Sequence, residues 1–262
     1  MINQLSPPIR ALILDMDGVL WRGSEPIGDL PAIFESLRSR ELKVVFATNN
    51  STKSVAQVQK RLKGFGVEIE PWQVITSAMA AAHLLHCIFP QGGAVYIIGM
   101  DGLVHHLEEH GFYHAEENVI AVVAGLDIHF SYEKLRRANN HLRAGARFIA
   151  TNPDPTFPRP GGLDPGAGSI IAAIQAASQT EPLIAGKPFT TMMEMALERL
   201  NLSPEQTLVV GDRLDTDISG GKRAGCRTAL VLSGAVAPQE LEQWQNPPDL
   251  IAPNLTALLE MV

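Results

Sequence analysis

The sequence predicts an α/β protein: a doubly wound parallel sheet with a second, smaller α/β unit inserted into it. Three observations predict it. Short apolar runs, almost free of charge, alternate with amphipathic stretches, as expected for strands covered on both faces by helices. The middle of the chain repeats that alternation independently over roughly 100 residues, enough for a unit of its own. Small, acidic and hydroxyl residues gather just after the apolar runs, where an open parallel sheet binds its ligands.

In chain order, the first expected strand is 11–14, which runs into Asp15-Met16-Asp17-Gly18. Strand side chains alternate, so carboxylates two positions apart leave on the same side. Two such groups repel unless compensated, and a hard divalent cation is one natural compensator. A turn or helix cap is the other reading of aspartate after a strand. A helix is expected over 31–40, with Phe34 and Leu37 on one face, then a strand over 43–47. That strand ends in Thr48-Asn49-Asn50-Ser51, side chains that suit phosphate oxygens at a helix start and equally suit capping. A helix over 53–64 stops at Gly66.

The inserted unit is placed at 78–182, leaving 1–77 and 183–262 as the larger unit. Its expected strands are 94–98, 119–124 and 147–150, and its helices 103–110 and 132–144. The Gly/Pro-rich stretch 161–168 reads either as a plain connector or as part of a substrate-facing loop over 156–168. His105 and His106 read as surface residues, and none of the eight histidines has zinc-site spacing. Beyond the insert, Lys187 stands between Gly186 and Pro188 on a turn. A helix over 190–200 uses its methionines as core filler. A strand over 207–210 ends in Gly211-Asp212-Arg213-Leu214-Asp215-Thr216-Asp217, and Gly211 permits close approach to Asp212. The last expected strand is 228–231. Lys187 reads as a surface charge alone, but as the needed cation beside acids and a phosphate.

Composition narrows the functional classes. The 262 residues are 45% hydrophobic and 19% charged with net charge −7, which argues against a dedicated nucleic-acid binder. No apolar run approaches the roughly 20 residues that span a bilayer, so no membrane partner is expected. The first residues lack the basic start and apolar stretch of a signal peptide, and a cytoplasmic location is expected. The two cysteines, Cys87 and Cys226, read as reduced thiols, with Cys226 a packing residue.

Taken together, Asp15-Met16-Asp17-Gly18, Thr48-Asn49-Asn50, Lys187 and Gly211-Asp212-Arg213-Leu214-Asp215-Thr216-Asp217 resemble, in order, the four motifs of the haloacid dehalogenase (HAD) superfamily of phosphatases. The 76–81 segment, Ala150-Thr151-Asn152-Pro153-Asp154 and the 165–169 segment are similar to its NagD-like, 4-nitrophenylphosphatase branch, with a cap between the second and third motifs. The resemblance covers about residues 10–252 and meets no departure at a motif position. It implies a Rossmann-like core and a Mg²⁺-dependent phosphatase for small phosphomonoesters. Phosphoglycolate, pyridoxal phosphate, nucleoside monophosphates and sugar phosphates are candidates, and 4-nitrophenyl phosphate an artificial substrate. Asp15 is then the nucleophile that forms an aspartyl-phosphate, and Asp17 the general acid and base. Mg²⁺ is held by Asp15, the Asp17 backbone carbonyl and Asp212. Thr48, Asn49, Asn50 and Lys187 bind phosphate, while Asp217 and Gly211 support them. Asn152 and Asp154 become candidates for the substrate-facing surface of the cap, with a turn cap as the other reading of Asp154. Trp21, in the flap over 19–23, lines the entrance or packs as a partly buried aromatic. The resemblance leaves monomer and cap-mediated homodimer both open. A phosphotransferase or mutase using the same aspartyl-phosphate is the alternative activity, and a catalytically silent binding protein the remote one.

Overall fold

The computed structural model describes residues 6–159, 161–234 and 244–261. The chain divides into two units: 1–48, 55–75 and 187–262 form the first, and 49–54 with 76–186 the second.

The first unit contains β1 (Ala11–Leu14), β2 (Trp21–Arg22), β3 (Glu25–Pro26), α1 (Leu30–Ser39), β4 (Lys43–Thr48), α2 (Val55–Gly64) and β5 (Val74–Thr76, whose last residue falls in the second unit). It resumes with α7 (Thr191–Leu200), β13 (Thr207–Gly211), α8 (Ser219–Arg223), β14 (Arg227–Val231), β15 (Leu250–Ala252) and α9 (Leu255–Glu260). Its main sheet has the order β15-β14-β13-β1-β4-β5. β1 pairs in parallel with β13 on one side and β4 on the other, and all four of its residues are buried. Leu12 and Leu14 pack with Phe34 and Leu37 of α1, Leu62 of α2 and Leu258 of α9. α7 contacts β1 and β4. Asp29 caps α1, its carboxylate accepting from Ala32 N at 3.1 Å. The chain leaves β1 for β4 on one side and later returns through β13 on the other. β1 therefore stands at the topological switch point, where such sheets place their ligand crevice.

The second unit contains α3 (Ser77–Ile88), β6 (Gly93–Ile98), α4 (Asp101–Glu109), β7 (Phe112–His114), β8 (Ala121–Ala124), α5 (Tyr132–Arg143), β9 (Arg147–Ala150), β10 (Thr156–Arg159), β11 (Gly162–Pro165), α6 (Ala167–Ser178) and β12 (Leu183–Ile184). Its parallel sheet has the order β12-β9-β8-β6-β7. Tyr96, Val122 and Phe148 from the strands pack with Leu142 of α5 and Ile170, Ile171 and Ile174 of α6.

Four expectations are corrected here. The boundaries at 78 and 182 shift, because β12 pairs with β9 and so carries 183–186 into the second unit, while 49–54 also group there. The 156–168 stretch is neither connector nor open loop: β10 and β11 pair as an antiparallel hairpin, and α6 begins at Ala167. His106 is not on the surface, being 6% exposed with its Nδ1 2.8 Å from Glu109 Oε2. The strand expected over 119–124 starts only at Ala121. Among the described residues no helix is long and apolar enough to cross a membrane.

Candidate active site

Three neighbouring strands of the first unit deliver three functional side chains. β1 ends at Leu14 and hands the chain to Asp15, whose backbone N–H donates to Val210 O at 2.9 Å. β4 ends in Thr48, and Asp212 follows the end of β13. Lys187 enters ahead of α7 and is 3% exposed. Its ammonium donates to Asp15 Oδ1 at 2.6 Å, to Asp217 Oδ1 at 2.6 Å and to the Ala47 carbonyl at 2.9 Å. Asp217 Oδ2 in turn accepts from Arg213 N at 3.2 Å. This places Asp217 as the residue that orients Lys187. Leu214–Ile218 is a single π-helical turn, and it is this turn that brings Asp217 back over the end of β13. A Cβ on Gly211 would overlap the Asp217 side chain, so the side chain that this glycine lets come close is that of Asp217. Asp215, the middle acid of the three, is exposed and pairs with Arg213.

Burial pushes the Asp15 carboxyl well above the usual carboxylate range; Lys187 opposes the shift, and Asp217 and Asp212 add to it. Burial acts to lower the Lys187 pKa, but the carboxylates of Asp15 and Asp217 outweigh it and the pKa rises. Asp15, Asp212 and Asp217 each offer a carboxylate oxygen within 4.8 Å of the others. Three carboxylates against one ammonium, all on oxygen donors, are the donor set of a hard divalent cation. The surrounding space fits that reading. Gly18, at φ +83°, turns the chain directly over Asp212, and a Cβ at Gly18 or at Gly234 would overlap the Asp212 carboxylate.

Asp17 stands apart from that cluster. It is exposed, and its Oδ1 accepts from the Trp21 indole N–H at 2.8 Å. Trp21 lies in the β2–β3 hairpin, yet it is 3% exposed and packed into the core, so it does not line an entrance.

The second unit holds the other predicted residues. Asn152 is 4% exposed. Its Nδ2 donates to the Asn49 carbonyl at 2.8 Å, to which Ser77 Oγ also donates at 2.6 Å. Asn152 is therefore a buried clamp on the 49–54 segment and not a substrate-facing side chain. Asn49 Nδ2 donates to Asp154 Oδ2 at 3.0 Å, and Asp154 N donates to Asn152 Oδ1 at 3.2 Å. Asn50 Oδ1 accepts from the backbone N–H of Thr52 at 2.9 Å, closing a local turn.

Two residues of the site were missed by sequence reasoning. Ser233 Oγ donates to the Gly18 carbonyl at 2.7 Å, and Gly234 walls Asp212. The available signal was their position just past β14, a small pair at the carboxyl end of a parallel strand.

Family models described as haloacid dehalogenase-like hydrolase and HAD-hydrolase-like match residues 12–113 and 184–258. The chain is 35% identical to phosphoglycolate phosphatase 1A, chloroplastic, of Arabidopsis thaliana, over 93% of this chain and 74% of that protein. It is 37% identical to a dihydroxyacetone phosphatase of Corynebacterium glutamicum, over 95% and 90%. Among solved structures, NagD of E. coli K-12 is similar with TM-score 0.87 and 31% identity, covering 94% of this chain and 97% of that one. A glycerol phosphate phosphatase of Mycobacterium tuberculosis, in complex with magnesium, has TM-score 0.88 and 34% identity, covering 95% and 76%.

Proposed function

The chain belongs to the haloacid dehalogenase-like hydrolases, in the NagD-like branch, and is a phosphoric monoester hydrolase; from that premise we propose that it is Mg²⁺-dependent and cleaves short aliphatic phosphomonoesters through an aspartyl-phosphate on Asp15. The observation that carries the mechanism is the carboxylate of Asp15, held at the switch point of the sheet by the buried ammonium of Lys187. The short aliphatic class is supported by the relatives named for phosphoglycolate, dihydroxyacetone and glycerol phosphate.

Asp15, Asp212 and the main-chain carbonyl of Asp17 would hold the Mg²⁺. Bound there, the ion supplies positive charge against the carboxylates and the phosphate dianion. The chain's own groups do the rest. Asp15 attacks phosphorus, forming the acyl phosphate as the ester P–O bond breaks. Asp17 gives its proton to the departing alkoxide, which leaves as the alcohol. Water then attacks the phosphorus of the intermediate, and the Asp17 carboxylate takes the water's proton. Phosphate leaves, the Asp15 carboxylate is regenerated, and Asp17 is again protonated for the next ester. Lys187 offsets charge on the nucleophile and the transferring group throughout, and Thr48 offers its hydroxyl to a phosphoryl oxygen. Phosphoryl transfer depends chiefly on such positioning and neutralisation.

The test is phosphate release from a panel of phosphoglycolate, dihydroxyacetone phosphate, glycerol 3-phosphate, pyridoxal phosphate and a nucleoside monophosphate, with Mg²⁺ and with chelator. The short aliphatic esters should show the highest kcat/KM, and chelation should abolish turnover. Higher kcat/KM for the nucleotide or pyridoxal phosphate would overturn the substrate class. Asp15→Asn should remove both turnover and the acid-trappable phosphoenzyme; a phosphoenzyme surviving in that variant would overturn the nucleophile.

A further inference from the structure

The bond between Trp21 and Asp17 joins a buried, immobilised ring to an exposed carboxylate. Trp21 is held on several sides. The Arg61 guanidinium of α2 lies 4.1 Å from the centroid of its ring, and the Phe65 ring stands 6.1 Å away. Arg61 also donates to the Gly23 carbonyl in the same hairpin. The turn between the two residues is closed by Gly18 N donating to the Trp21 carbonyl at 2.8 Å and Leu20 N donating to Met16 O at 2.8 Å. A buried indole needs an acceptor for its N–H, and here that acceptor is the side chain assigned to proton transfer.

The chemistry of the donor makes the contact asymmetric. An indole N–H only donates, so it meets Asp17 Oδ1 as an acceptor whether the carboxyl group is ionised or not. With Oδ1 taken, the proton that Asp17 exchanges is carried on Oδ2. An exposed aspartate without such a bond samples several rotamers, and each wrong one costs rate in a step that depends on placement.

We propose that Trp21 is a positioning residue for catalysis: its indole N–H fixes the Asp17 carboxyl group so that Oδ2 is the oxygen that delivers the proton to the leaving group. This rests on the general-acid reading of Asp17.

Trp21→Phe keeps an aromatic ring between Arg61 and Phe65 and removes the N–H. The readout is kcat/KM on two substrates, since that ratio covers every step through departure of the leaving group. An alkyl phosphate, the best of the panel, needs its alkoxide protonated. The nitrophenolate of 4-nitrophenyl phosphate departs without a proton. Trp21→Phe should lower kcat/KM on the alkyl ester by about tenfold, the scale of one positioned hydrogen bond, and on the nitrophenyl ester by less than about threefold. Asp17→Asn should show the same selectivity more strongly, and adding Trp21→Phe to it should cost nothing further. Equal losses on both esters in Trp21→Phe would make Trp21 a packing residue and overturn the inference. If Asp17→Asn is selective and Trp21→Phe leaves both esters unchanged, the inference fails while the Asp17 reading stands. If Asp17→Asn itself spares both esters, the Asp17 reading fails. Should Trp21→Phe not fold, Arg61→Met decides. It loosens the ring without removing the N–H, and a selective loss on the alkyl ester supports the inference where equal or absent losses overturn it.

Discussion

Each of the two units pairs a buried carboxylate with a lysine just beyond the carboxyl end of a parallel strand, and the two pairs behave as opposites. In the second unit, Asp127 follows β8 and meets Lys134 of α5 at 2.6 Å, with Asp127 Oδ1 also accepting from His129 N at 2.8 Å. One acid faces one base, and the ammonium is partly solvated. In the first unit, Asp15 meets Lys187 at the same 2.6 Å, but Asp217 and Asp212 crowd the same spot. The first arrangement is complete as it stands and ties a loop to a helix. In the second, three carboxylates crowd round one ammonium, a group that could hold a cation. The architecture is shared; the crowding of carboxylates separates one pair from the other.

Breaking the pair on each side sharpens the contrast most. Lys187→Met should lower kcat about 10²–10³-fold, the scale of losing one preorganised charge at a reacting centre, measured by phosphate release at saturating Mg²⁺. Near-normal turnover would erase the distinction. A smaller effect of a different kind is expected across the molecule: Asp127→Asn should cost about 1–2 kcal/mol in a denaturant titration and leave kcat unchanged. A fall in kcat there would mean that the balanced pair also serves the reaction.

The smallest expected effect concerns the thiols, one in each unit. Burial, with Glu205 adding to it, pushes the Cys226 thiol up to about 12, so at neutral pH it stays protonated and unreactive. Cys87 is exposed. Native protein should react with one equivalent of a thiol reagent at pH 8, and with a second only after unfolding. Two fast equivalents in the native state would contradict the burial of Cys226.

The same contrast explains what could be read from the sequence. β1 and β9 have the predicted limits, because short apolar runs between polar residues admit little else. The acids of the site were legible because they follow strands whose positions the apolar pattern sets, and Lys187 because it stands between Gly186 and Pro188. α3 and α6 were not, since their alanine- and isoleucine-rich faces are apolar on several sides and give no clear helical period. β12 and β15 are two and three residues long, too short for any pattern. Asn152 misled because an amide looks the same in sequence whether it faces a ligand or clamps a backbone. The Trp21–Asp17 bond was hidden for a related reason. A tryptophan four residues from an aspartate says nothing about the ring's direction until Arg61 and Phe65, forty residues on, are known to hold it.

The two glycines that wall Asp212 carry a consequence for anyone who would re-engineer this enzyme. Gly18 and Gly234 have no side chain, yet a single methyl group on either would occupy the volume of the carboxylate beside it. A library that freezes only the acids and the lysine would fill with inactive clones whose polar inventory is intact. The site is bounded by what these two positions leave out, and the room they leave for Asp212 has to be inherited along with the side chains.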